Sequence, residues 1–191
     1  NLFAPAFAGG APQYQGVAFQ SPKNAYTGDA AVSYFIPSTN TKLRAHAGNG
    51  YRAPALYERV GASFFWGEFS AYGDPALRPE RSVAADAGFD QYLANSKVRL
   101  SGTVFYTRLQ EVIGYASLTN DPYGRWGGYV NTGGGLARGI EMSSEVRPWR
   151  TMLLQGSYTY TNADERTSIL TDGGLRAIRV FPHAITFVAS Q

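Results

Sequence analysis

A chain of 191 residues with 17 Lys and Arg against 14 Asp and Glu is long enough for one domain, and its net charge of +3 is too small to imply a nucleic-acid partner. Charged residues are only 16%, while Gly (22), Tyr (13) and Phe (11) are plentiful, a bias towards strands rather than helices. The lack of cysteine excludes disulfides and thiolate metal sites, and no run of eighteen apolar residues offers a transmembrane helix.

A membrane is not thereby excluded, because a barrel strand needs only ~10 residues with one apolar face. No signal peptide is visible, the first residue is Asn1, and the only methionines are Met142 and Met152. The sequence therefore reads as a fragment of something longer.

Ala30 to Ile36 reads as the first strand, and Pro37-Ser38-Thr39-Asn40 as a short turn. Lys42 to Ala47 then alternates strictly, with Lys42, Arg44 and His46 on one face and Leu43, Ala45 and Ala47 on the other. The next strand, Ser82 to Phe89, sets Val83, Ala85, Ala87 and Phe89 against Ser82, Ala84, Asp86 and Gly88. Lys97 to Ile113 runs long, opposing Val98, Leu100, Gly102, Val104 and Tyr106 to Arg99, Ser101, Thr103, Phe105 and Thr107. Gly139 to Arg147 places Glu141 and Glu145 opposite Ile140 and Met142. A strand through Leu154 to Thr161 and a last one over Ile178 to Ala189 complete about seven.

Short turns fall near 37–40, 90–96 and 148–150, and long connections near 1–27, 51–81, 114–138 and 163–177. Short at one end and long at the other is the asymmetry of an up-and-down membrane barrel. A soluble β-sandwich with ordinary cross-strand tyrosines is the competing reading of the pattern, and a lipocalin-like barrel is disfavoured by the long loops. Against the sandwich, no face is rich in Lys and Glu, and Tyr106, Tyr158 and Tyr160 fall towards strand ends, as aromatic girdles do.

Two proline-marked segments interrupt the strands. Tyr51-Arg52-Ala53-Pro54-Ala55-Leu56-Tyr57-Glu58 follows the second strand, and Gly73-Asp74-Pro75-Ala76-Leu77-Arg78-Pro79-Glu80-Arg81-Ser82 opens the third. Pro54 and Pro79 withhold backbone donors and so mark where one strand leaves the sheet and the next enters. In order after them come Asn131-Thr132 with Ala137-Arg138-Gly139-Ile140-Glu141, then Gly156-Ser157-Tyr158-Thr159-Tyr160-Thr161-Asn162, then Arg179 to His183. Together these resemble the C-terminal barrel of TonB-dependent outer-membrane receptors, with Ala55 where Ser or Thr is common and Asp74 in place of Asn.

The resemblance implies an all-β, antiparallel up-and-down transmembrane barrel of 22 strands around a plug, of which residues 1–191 would be one partial-barrel unit. It implies a receptor in the outer membrane of a Gram-negative bacterium that takes up a scarce solute, with a ferric siderophore as the expected ligand and cobalamin, haem or a glycan as the other options. The implied partners are outer-membrane lipid and lipopolysaccharide, the plug of the same full-length chain, and a TonB-type coupling protein acting through an N-terminal part that these residues do not contain. A passive porin or adhesin barrel without plug or coupling is the alternative.

No catalytic constellation, metal spacing or cofactor motif stands out, and the chain reads as a non-enzyme. Gly133-Gly134-Gly135 lacks the strand–loop–helix context of a phosphate cradle and suits a close-packed strand entry. Rim arginines Arg52, Arg59, Arg78 and Arg81 either pair with Glu58, Glu68, Glu80 and lipid phosphates or attract an anionic ligand. Candidate ligand contacts in the loops are Arg52, Tyr57, Arg59, Trp66, Arg125 and Trp126. Candidate plug-facing residues are Arg44, His46, Asp86, Arg99, Glu141 and Glu145, with Gln155 beside them; Glu141 and Glu145 are expected to form a ladder with Arg99 or Lys97. Charges at Leu43 or Leu100 are expected to be costly, and charges at Ser101 or Thr103 mild.

Overall fold

The computed structural model describes Tyr14 and residues 16–17, 25–65, 68–165 and 181–191. In chain order the elements are β1 (Gly28–Ile36), β2 (Thr41–Arg52), α1 (Leu56–Val60), β3 (Ala62–Phe65), β4 (Glu68–Ala71), β5 (Glu80–Leu93), β6 (Val98–Ser117), β7 (Gly127–Thr132), β8 (Gly135–Val146), β9 (Leu153–Glu165) and β10 (His183–Ser190). Seven of them form one sheet in the order β1-β2-β5-β6-β8-β9-β10, every pair antiparallel, and β7 pairs with the far end of β6. This is the meander expected from the sequence, with each long strand beside its chain neighbour.

The register turns the alternation of each strand into two continuous faces. Tyr34, Leu43, Phe89, Gly102, Met142, Tyr158 and Ile185 stand side by side across the sheet, as do Val32, Ala45, Ala87, Val104, Ile140, Tyr160 and His183. One residue along, the opposite face reads Ser33, Arg44, Gly88, Thr103, Glu141, Thr159 and Ala184.

Among the described residues the apolar face has no second layer over it. Val104 and Met142 are each 55% exposed and Ile185 is 79% exposed. Among the described residues the buried apolar side chains are Tyr14, Ala71, Leu77, Ile113 and Ala116, all at the long-loop end. A soluble monomer rarely exposes a contiguous apolar patch beyond a few hundred Å². A seven-strand apolar face is instead the outer wall of a barrel in hydrocarbon, so the chain is a partial transmembrane barrel and not a two-layer sandwich.

Several boundaries differ from the sequence reading, each for a local reason. β5 continues to Leu93, so the turn is 94–97 rather than 90–96; Asp90 and Gln91 stay in the ladder opposite Lys42 and Thr41. β6 extends to Ser117 because β7 folds back onto it, so 114–138 is an ordered flap and not an irregular loop. The 51–81 connection likewise contains α1 and the β3–β4 hairpin. Tyr158 lies mid-strand between Met142 and Ile185, whereas Tyr106 and Tyr160 stand where the apolar face gives way to Arg108 and Asn162. The loops near 1–27 and 163–177, and the start proposed for the last strand, fall largely outside the described residues.

Candidate functional site: the loop rim and the polar face

The two proline-marked segments meet through Arg52. β2 ends at this residue, Pro54 follows, and Ala55 holds an extended backbone (φ −67°, ψ 156°) before the single turn of α1. The Glu58 side chain turns back to accept the Ala55 N–H at 2.6 Å, closing the turn. Arg52 donates to both Glu58 oxygens at 3.1 Å and reaches Glu80, at the head of β5, through Nε at 2.6 Å and Nη2 at 2.8 Å. Glu80 also accepts the Ile113 N–H at 2.8 Å. One guanidinium thus ties the ends of β2 and β5 to α1 and, through Glu80, to β6, with Glu58 buried beneath it.

A second knot gathers around Arg125, whose side chain is 2% exposed. Its Nε and Nη2 fork onto Asp121 at 3.0 and 2.8 Å, its Nη1 donates to the Gly73 carbonyl at 2.8 Å, and Asp74 lies 3.4 Å from Nη2. Asp121 also accepts the backbone N–H groups of Tyr123 and Arg125 at 3.0 and 3.1 Å. The hydrogen bond from Arg125 holds the Asp121 carboxyl below the usual carboxylate range.

Tyr14 is buried against the same place, its hydroxyl 2.7 Å from the Gly61 carbonyl and 3.0 Å from that of Gly73. Burial pushes its phenol up to about 12, so it remains the proton donor. Gly73 has no room for a side chain, since a Cβ there would meet the backbone of Arg59, Val60 and Gly61 at 2.6 Å. The backbone lacing continues: Asp74 N–H donates to Glu58, and Tyr129 N–H donates to Tyr72, each at 2.8 Å. Arg78 and Asn131 bond reciprocally at 2.7 and 2.8 Å, which fixes the second proline segment to β7.

The rim readings separate in space. Arg52 and Arg125 are committed to carboxylates, and Arg59 donates to the Pro75 carbonyl at 2.9 Å. Arg78 pairs with Glu111 at 3.2 Å, and Arg81 lies 6.0 Å over the Tyr51 ring. Tyr57 (53%) and Trp126 (87%) remain open at the surface. Trp66 lies outside the described residues, as does the Glu68 side chain.

Tyr57 belongs to an aromatic cluster that sequence reasoning missed. Tyr129 sits at its centre, 5.7 Å from Tyr57, 5.4 Å from Tyr115 and 6.1 Å from Tyr72, mostly edge to face. The i,i+4 spacing of Asp121 and Arg125 was a readable hint of the buried pair. Nothing local pointed to Tyr14, whose partners are 47 and 59 residues away.

On the polar face, Arg44 lies between β5 carboxylates, 3.7 Å from Asp90 and 4.0 Å from Asp86, and donates to Thr103. His46 Nδ1 is 3.1 Å from Asp86, and Asp29 lies 3.9 Å from the other ring nitrogen. Ser101 is buried and donates to Asp90, with Arg99 3.9 Å from the same carboxylate. Four of the expected plug-facing residues, Arg44, His46, Asp86 and Arg99, are therefore drawn into one network.

The expected ladder does not form: Glu145 stands opposite Arg99 in register, but its carboxylate takes Arg147 at 2.7 Å and Arg99 takes Asp90. Glu141 instead lines a shallow recess with Arg44, Arg99 and Thr159. Ser101 and Thr103 are also poorer sites for a harmless charge than their polarity suggested, since both serve this network. At the strand entry, Gly134 has φ +69° and abuts the Leu109 carbonyl, a close-packed backbone and not a phosphate cradle.

An antiparallel wall with one lipid-type face, one networked polar face and a structured rim of loops defines the class: part of a transmembrane β-barrel. Residues 5–189 match the family described as TonB dependent receptor-like, beta-barrel, and the chain belongs to that family. A solved structure, that of "Copper transporter OprC", is similar with a TM-score of 0.52 at 17% identity, over 73% of this chain and 20% of that one. That likeness is one of fold, and the chain spans about a fifth of the length of that protein. No curated protein matches the chain.

Proposed function

We propose that these strands are part of an outer-membrane receptor that takes up a scarce solute in an energy-coupled way. Membership of the family supports this reading, and the polar-face network carries it. Arg44, His46, Asp86, Asp90 and Arg99 present paired donors and acceptors to the barrel interior, the surface a folded plug needs for hydrogen-bonded docking. Lipid meets the apolar face, the plug of the complete chain fills the polar side, and a TonB-type protein supplies the energy. The barrel residues hold and orient; no covalent step is assigned to them.

The ligand proposed is a ferric siderophore. The exposed rings of Tyr57 and Trp126 at the rim offer flat surfaces suited to aromatic or sugar-like chelators. The test is deletion of the complete gene under iron limitation, with uptake of radiolabelled ferric siderophore measured with and without a protonophore. Uptake that falls in the deletion strain and that collapses with the protonophore in the parent supports the proposal. Unchanged uptake retires the siderophore, and protonophore-resistant uptake favours a passive porin. Parallel uptake of copper(II) checks the substrate that the structural relative's name carries.

A further inference from the structure

Four tyrosines from four separate segments meet at the rim: Tyr57 on α1, Tyr72 after β4, Tyr115 on β6 and Tyr129 on β7. The Tyr57 and Tyr115 rings stand at 71° and 90° to that of Tyr129, so the three do not stack into one slab and their faces point in different directions. Glycines set where two of the rings lie. A Cβ at Gly127 would come within 3.3 Å of the Tyr115 hydroxyl, and one at Gly61 would run into the Tyr72 ring. Tyr57 and Tyr115 are each more than half exposed, whereas Tyr72 and Tyr129 are half-buried.

The charges around this cluster disfavour an anion. Burial pushes the Tyr129 phenol above its ordinary value, and Tyr57, Glu58, Tyr72 and Tyr115, all of them acidic groups, push it further. Glu58 itself is buried. The rim arginines do not offset this. The Arg52 knot sets one guanidinium against Glu58 and Glu80, and the Arg125 knot sets one against Asp74 and Asp121. Arg78 is balanced by Glu111, and Arg59 is turned to the Pro75 carbonyl. Four guanidiniums thus face five carboxylates, and each of the four already has an acceptor. What the rim leaves open to solvent here is aromatic.

We propose that the Tyr57, Tyr115 and Tyr129 cluster is a binding site for a cationic group of the ligand, an alkylammonium in particular, an inference that rests on the receptor reading above and narrows its ligand. Phenol faces attract a cation through the ring quadrupole, and an excess of carboxylates behind them adds to the attraction. An alkylammonium also brings CH₂ groups that lie on the same faces, so charge and apolar contact act together. A carboxylate or phosphate gains from neither. The ligand is then a chelate carrying a basic amine, not the polyanionic class that open arginines would suit.

The test uses the complete receptor, purified and reconstituted, with a pair of ferric trihydroxamates that differ at one end: a primary amine, charged at neutral pH, or its N-acetylated form. Quenching of intrinsic fluorescence gives both affinities for the parent, for Tyr57→Phe/Tyr115→Phe and for Tyr57→Leu/Tyr115→Leu. Both positions are exposed, so both double variants should keep the gel shift of a folded barrel. The parent is expected to hold the ammonium form about tenfold more tightly than the acetylated one. The Phe pair keeps the ring faces and should keep most of that preference. The Leu pair keeps only apolar surface and should bring the two forms within about twofold of each other. Equal affinities in the parent, or an undiminished preference in the folded Leu pair, overturns the cation site and leaves the siderophore reading intact. A parent that binds neither chelate removes the siderophore reading, and saturation-transfer NMR with choline and its uncharged tert-butyl isostere then reads the cation site by itself. Transfer to choline alone, lost in the Leu pair, upholds the site; equal transfer to both, or none, overturns it.

Discussion

Replacing Arg125 by alanine is expected to cost about 3–5 kcal/mol of stability in the outer loops, the usual penalty for deleting one partner of a buried pair. Asp74 and Asp121 would be left facing each other with 17% and 3% exposure and no cation. The Gly73 and Tyr129 carbonyls would each lose a donor as well. The loss should be local, because the knot joins the 121–129 segment to the 73–74 turn and not to the membrane strands. Hydrogen exchange on the complete receptor should accelerate over residues 118–129 and 72–77 while β5 and β6 keep their protection. Acid gives an independent reading. The Asp121 carboxyl titrates below its unfolded value of about 3.9, so its contribution stands above that pH and disappears as pH falls through the lower, folded value. The parent loops should therefore loosen only in strong acid, and Arg125→Ala loops should already be loose at neutral pH. Uniform exchange in parent and variant would show that the knot carries no stability.

The second large effect is expected at Val104. It lies mid-face with Ala87 and Ile140 on either side, and Val104→Lys should lower the stability of the reconstituted complete barrel by about 2–4 kcal/mol. Leu43→Lys and Leu100→Lys should follow with depth-dependent losses. Gln155→Lys is the appropriate control: the position is exposed on the polar face and opposite Glu145, so the change should stay within roughly 0.5 kcal/mol. Urea midpoints in vesicles read both. Similar losses at Val104 and Gln155 would contradict the assignment of faces.

Much of the sheet was legible because a barrel strand is specified by alternation alone. Leu43, Ala45 and Ala47 against Arg44 and His46, and Val83 to Phe89 against Asp86, fixed face and pairing order without long-range information. Pro54 and Pro79 located the breaks between β2 and β5 to within two residues. What stayed hidden was the rim, where order comes from contacts between distant residues. β7 lacks strong alternation and exists because β6 outruns its other neighbours. Arg125 looked like an available loop cation, but burial and two carboxylates remove it from solvent. Glu145 took Arg147, two residues away, in preference to Arg99 across the strand, since Asp90 already held Arg99. Local pattern states which face a side chain is on; which of several nearby opposite charges it takes is decided by geometry.

The central claim is that alternate residues of each long strand face hydrocarbon and the barrel interior. Residues 1–191 hold no cysteine, so single spin labels can be placed at 102, 103, 104, 105, 106 and 107 of β6 in the complete, reconstituted receptor once any cysteine elsewhere in it is replaced by serine. The predicted result is a two-residue oscillation in collision rates, with oxygen favoured at 102, 104 and 106 and a polar nickel chelate relatively favoured at 103, 105 and 107. Nickel access at all six positions, or no alternation between the two quenchers, would contradict it.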